Sequence, residues 1–161
     1  MRLSRNSKTN CPFTYLSFTI LFTNLSIYTE FIMAFTPEIL QSRLLKFAQK
    51  CQTLTSRLPK NSHNIIYNNQ LNRSSSSPGA NYIEAIEASS TKEFILKLKI
   101  CRKETKESNY WLVLIQTSNE SLSWLKKETE ELIKEGNELI RIFTASIITA
   151  ERNQKIRKME K

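Results

Sequence analysis

Between Thr36 and Arg152 the apolar residues return at alternating steps of four and three. The first series is Leu40, Leu44, Phe47, Cys51, Leu54 and Leu58. An α-helix turns once every 3.6 residues, so these side chains line one face that other parts of the chain must cover. Thr36-Pro37-Glu38 marks its start: a capping hydroxyl, a proline suited to the first helical position, and a carboxylate near the positive end of the helix dipole. Pro59 stops the series, because its ring pushes the preceding residue out of the α region. Residues 59–63 are polar and read as a connection.

A second helix is expected from about Asn64, carrying Ile66, Tyr67, Leu71, Tyr82, Ile83 and Ile86. Its middle, Ser74-Ser75-Ser76-Ser77-Pro78-Gly79-Ala80, has the composition of a break. Small residues also let helices approach closely, and a proline can kink a helix without ending it. One kinked helix is the preferred reading; two helices and a linker share the same flanks. Ser90 and Glu93 have capping-box spacing and open a third helix. Its seam is Phe94, Leu98, Cys101, Thr105, Ser108, Leu112 and Ile115. Thr117-Ser118-Asn119 reads as a short turn. A fourth helix is then expected from Asn119 to Arg152, about 50 Å at 1.5 Å per residue. It carries Leu122, Leu125, Thr129, Leu132, Gly136, Leu139, Phe143, Ser146 and Ala150 on one seam. The fold class that follows is all-α: an antiparallel up-down-up-down four-helix bundle over residues 33–153. Residues 154–161 form a charged tail expected to fray.

Composition supports long helices. There are only 2 Gly and 4 Pro in 161 residues, too few for the turns of a sandwich or barrel. All 15 acidic residues are Glu, and the one His is His63. These absences argue against a Ser-His-Asp triad, an EF-hand and a His-rich zinc site. Phosphate loops and dinucleotide fingerprints need clustered Gly. Glu84, Glu87, Glu104 and Glu107 do not suggest a bridged metal pair, because no Glu-x-x-His accompanies them. Neither a metal nor a cofactor is expected, nor any catalytic residue. Cys11, Cys51 and Cys101 form no CxxC pair; Cys51 and Cys101 read as small buried hydrophobes of a reducing compartment.

Residues 1–32 differ from the rest. Arg2, Arg5 and Lys8 precede an uncharged run from Thr9 to Thr29 in which polar residues constantly interrupt Phe, Leu and Ile. The preferred reading is a non-native or disordered extension, with Met33 as the true start. A membrane or export segment and a folded extension are the alternatives. If Met33 is the start, no membrane partner is expected.

Lys and Arg total 24 against 15 acids, or +9, which favours anionic partners. On the third helix Lys92, Lys99 and Lys106 share one outward position, with Lys103 on the neighbouring one and Arg102 flanking. On the first, Arg43, Lys50 and Arg57 recur every seven residues with Lys46 nearby. Such rows are either solvated faces or phosphate tracks. On the fourth, Ile133, Ile140 and Ile147 repeat every seven residues beside the core seam, joined by Ile142 and Ile148. This second apolar row is either wrapped by the bundle or a subunit interface. Trp111 and Trp124 read as packing caps at one bundle end.

Gln70-Leu71-Asn72-Arg73-Ser74 and Gly79-Ala80-Asn81-Tyr82-Ile83-Glu84-Ala85 resemble the hallmark of the bacterial 23S rRNA intervening-sequence proteins. Ser90 to Ile95, Lys97 to Ile100, Lys103-Glu104, Ser108 to Leu112, Leu139 to Ile142 and Thr144 to Ile147 continue the likeness. It spans roughly residues 34–152 and leaves residues 1–32 outside. The resemblance implies a four-helix bundle that assembles as a ring, commonly a homopentamer. The family is similar to the accessory variability protein of diversity-generating retroelements, a basic pentameric barrel that binds nucleic acid and contacts a reverse transcriptase. The expected function is therefore a cytoplasmic, non-enzymatic, homo-oligomeric scaffold binding RNA or DNA with low sequence specificity. Arg43, Lys46, Lys50, Arg57, Lys92, Lys99, Arg102, Lys103 and Lys106 are the candidate phosphate contacts. The alternative is a protein-interaction adaptor, such as an accessory subunit of a reverse transcriptase or another protein partner.

Overall fold

The computed structural model describes residues 36–160. The expectations for residues 1–32 lie outside the described residues. Four helices follow one another: α1 (Pro37–Ser56), α2 (Ser62–Ile86), α3 (Thr91–Ser118) and α4 (Leu125–Met159). No strand occurs among the described residues. Each helix packs on two neighbours, α1 on α2, α2 on α3, α3 on α4, and α4 more sparsely on α1. Thus α1 and α3 lie diagonally opposite. Contacting residues run in opposed numerical order. Arg43 meets Glu138 and Arg57 meets Glu128; Arg73 meets Glu107 and Glu84 meets Lys97; Lys99 meets Glu151 and Gln116 meets Thr129. That ordering is the pattern antiparallel neighbours make.

The core is built from the expected seams. Leu40, Leu44, Phe47, Cys51 and Leu54 of α1 are buried with Leu98, Cys101, Leu112 and Ile115 of α3 and Leu125, Leu132, Leu139 and Phe143 of α4. Burying each large side chain contributes about 1.5–3 kcal/mol relative to leaving it in water. Ser62 to Ile86 is one continuous helix with Pro78 inside it. The serine run that looked like a break is instead the close-packed face of α2. Ser74 and Ser75 are buried, and the Ser74 and Ser108 hydroxyl oxygens lie 3.0 Å apart between α2 and α3. Small side chains permit that approach. Where α3 meets α4, Gly136 has the same role: a Cβ there would lie 2.1 Å from Asn109 Oδ1.

Helix ends and caps correct the sequence reading in four places. Asn61 caps α2, its Oδ1 accepting from Asn64 N at 2.8 Å, so that helix starts before Asn64. Ser90 Oγ accepts from Glu93 N at 3.2 Å as expected, but the returning Glu93 carboxylate accepts from Ser89 N and Oγ rather than from Ser90. The fourth helix begins at Leu125, not Asn119. Asn119 is drawn out of helical continuation by a reciprocal amide pair with Asn64, 2.9 Å in each direction. At its other end α4 runs through the charged segment to Met159.

Candidate nucleic-acid interface

Eight of the nine basic candidates lie on α1 and α3, which the bundle places on opposite sides, and Arg57 directly follows the end of α1. One linear phosphate track on a single chain therefore cannot engage both rows. The α1 row is partly consumed within the bundle. Arg43 Nε and Nη2 donate to Glu135 at 2.9 Å, and Nη2 also reaches Glu138 at 2.9 Å. The hydrogen bond to Glu135 raises the Arg43 pKa above its ordinary value, against the opposing effect of partial burial. Arg57 pairs with both oxygens of Glu128 at 2.8 Å, and its guanidinium carbon sits 3.9 Å from the Trp124 ring centroid. Lys46 and Lys50 are exposed along a groove of about 380 Å³ between α1 and α4. Lys134 faces the same groove, but so do Glu131, Glu135 and Glu138, so its field is mixed.

The α3 row is different. Lys92, Lys103 and Lys106 are exposed and form no ion pair among the described residues. Lys99 pairs with Glu151 of α4 at 2.7 Å. That hydrogen bond, with the charges of Lys99, Lys155 and Arg102, holds the Glu151 carboxyl below its usual value. Both side chains are about half open to solvent, so the pair adds little to stability and leaves the patch basic. Lys155, one turn beyond Glu151 on α4, and Arg102 of α3 both act on that carboxylate. The charged composition of residues 154–161 predicts a fraying tail, whereas Lys155 lies within α4. The missed signal is that residues 151–160 contain neither Gly nor Pro and are rich in Glu, Lys, Arg and Gln, all good helix formers.

The three isoleucines do not share one environment. Ile147 is 3% exposed and belongs to the core of its own chain. Ile133 is half-buried against that core, and Ile140 is half-buried. The outward part of the row is Ile148, 60% exposed. Trp111 and Trp124 both pack against the core as partly buried rings. Of the four glutamates Glu84, Glu87, Glu104 and Glu107, two are ion-paired: Glu84 with Lys97, and Glu107 with Arg73. Among the described residues, no group of three His, Cys or Glu side chains is placed to hold a metal. Nor is any described helix long and apolar enough to cross a membrane.

A solved structure from Bacteroides thetaiotaomicron, described as a protein with unknown function from the S23 ribosomal protein family, is similar to this chain. Its TM-score is 0.60 at 28% identity, and the match covers 68% of this chain and 98% of that one. No curated protein matches the chain significantly. Residues 39–145, from the first turn of α1 into the middle third of α4, match one family, the 23S rRNA-intervening sequence proteins. The helical bundle and this match place the chain in the 23S rRNA-intervening sequence protein family.

Proposed function

We propose that this chain is a non-enzymatic cytoplasmic scaffold that binds RNA or DNA with low sequence specificity through α3 and the end of α4. The observation that carries the reading is the row Lys92, Lys103 and Lys106, exposed and free of carboxylate partners among the described residues, with Arg102 of α3 and Lys155 of α4 both acting on Glu151, the partner of Lys99. A linear array of ammonium groups neutralises successive phosphates and releases their counterions, which supplies affinity without reading sequence. A homo-oligomeric ring, pentameric in the form the family resemblance implies, would repeat this face around an axis. The exposed Ile148 with half-buried Ile140 supports a contact between copies. The adaptor reading draws on Ile83 and Ile86, exposed together near the end of α2.

Binding measured against salt tests the proposal. The slope of log affinity against log salt is expected to be steep, and Lys103→Gln and Lys106→Gln are each expected to flatten it by about 1. Arg43→Gln and Arg57→Gln, whose charges are already met by glutamates, leave it unchanged. No binding of RNA or DNA at low salt removes the reading. Native mass measurement of the assembly tests the ring, and a monomer refutes it.

A further inference from the structure

We infer that the α3 face takes its nucleic acid as a single strand, with Tyr110 as a base-stacking surface at the end of the lysine row. This rests on the nucleic-acid reading above and specifies the form of the ligand. Along the outer ridge of α3, Lys99, Lys103, Lys106, Tyr110 and Val113 follow one another at steps of three and four. Tyr110 therefore lies one turn beyond Lys106, about 6 Å along the axis. It is 58% exposed.

The ring is supported from behind. Trp111 meets it edge-on at 5.1 Å between centroids and 71° between planes. Trp111 is itself held, its Nε1 donating to Glu107 Oε1 at 3.2 Å, and Glu107 is fixed by Arg73 at 3.0 Å. Tyr67 packs 5.9 Å from Trp111 on the inner side. A ring backed in this way loses little freedom when a flat ligand covers its open side.

The charge beside it selects the ligand. An exposed tyrosine at a protein contact would sit well among apolar neighbours. Here the preceding turns of the same ridge are lysines, so a ligand on Tyr110 also meets ammonium groups at Lys106 and Lys103. A single strand carries both matching groups, phosphates along its backbone and unstacked bases with free π-faces. In a duplex those faces are closed by neighbouring bases, so only the phosphate term remains. Stacking accepts any base, which agrees with low sequence specificity.

The test compares fluorescently labelled oligothymidylate with a duplex of equal length, at fixed low salt, for the wild-type chain, Tyr110→Ala and Tyr110→Phe. Tyr110→Ala is expected to weaken single-strand binding roughly tenfold and to leave duplex binding unchanged. Tyr110→Phe keeps the stacking face and is expected to bind like wild type. If wild type binds neither strand form, the nucleic-acid reading falls and this inference with it. If wild type binds but Tyr110→Ala changes nothing, or weakens both forms equally, the inference alone is overturned. Loss of assembly mass in Tyr110→Ala also overturns it, because the ring would then be a contact between copies.

Discussion

The amide pair between Asn64 and Asn119 is expected to hold one end of the bundle together, and Asn64→Ala measures how strongly. Both residues are buried, at 1% and 6% exposure. Asn64 Nδ2 donates to Asn119 Oδ1 and Asn119 Nδ2 to Asn64 Oδ1, each at 2.9 Å. Their second hydrogens go to Pro59 O at 2.9 Å and Ile115 O at 2.8 Å. The cluster therefore joins the α1–α2 connection to the end of α3. Truncating Asn64 leaves Pro59 O with Asn61 N at 3.0 Å, but orphans Asn119 Oδ1 and one Nδ2 hydrogen. A buried polar group left unsatisfied costs about 1–3 kcal/mol, so Asn64→Ala should cost about 3 kcal/mol. Asn119→Ala should cost a similar amount for the mirrored reason. The double variant should cost less than the sum, by a coupling of about 1–3 kcal/mol, because the second truncation removes the group the first one orphaned. Urea unfolding followed by circular dichroism at one fixed protein concentration reads this, since assembly makes apparent stability concentration-dependent. The m-value should stay constant while the midpoint falls. Single variants each costing under about 0.5 kcal/mol, or strictly additive costs, would refute the reasoning.

Ser108→Leu puts a large side chain where α2 and α3 meet through Ser74, and should destabilise by about 2–3 kcal/mol; an unchanged thermal midpoint contradicts that close approach. Arg43→Met breaks the bridge from α1 to Glu135 and Glu138 and should cost about 1 kcal/mol, less in high salt; urea titrations at two ionic strengths check both statements. Burial pushes the Cys51 and Cys101 thiols up to about 12, so iodoacetamide should label neither in the folded protein near neutral pH, as read by peptide mapping. The same shift sets a pH dependence. The folded value lies above the unfolded 9.0, so this part of the stability is complete below pH 9.0 and is lost as pH rises towards about 12. Stability that stays flat across that window contradicts it.

The basic face that the fold leaves open differs from the one that charge counting alone suggests. Sequence periodicity treats the α1 and α3 rows as equivalent. In the folded chain α1 faces the glutamates of α4, and Arg43 and Arg57 are spent on them. The α3 row meets one carboxylate of α4, Glu151, and keeps Lys103 and Lys106 for solvent. Substitutions spread evenly over both rows should therefore give uneven effects on binding.

The core was legible from the sequence because helical periodicity is a local property. The expected α3 seam is Phe94, Leu98, Cys101, Thr105, Ser108, Leu112 and Ile115; all are buried except Phe94, which is half-buried while Ile95 beside it is buried. The reading slipped where a seven-residue repeat was carried too far along α4. There Ile147 takes the core position expected for Ser146. A straight helix drifts by about 20° per heptad, enough to exchange neighbouring positions after a few turns. Other features depend on partners remote in the chain. Asn119 leaves the helix because Asn64, 55 residues away, takes its amide. The serine-proline run stays helical because α3 offers Ser108 as a close neighbour to Ser74. Which lysines remain open to a phosphate is likewise settled by which helix carries carboxylates beside them. The sequence by itself determined four amphipathic helices and their buried faces, since a 3.6-residue period needs only local information. The tertiary structure decided which charges cancel and which aromatic ring stays bare, because both depend on what stands across the interface.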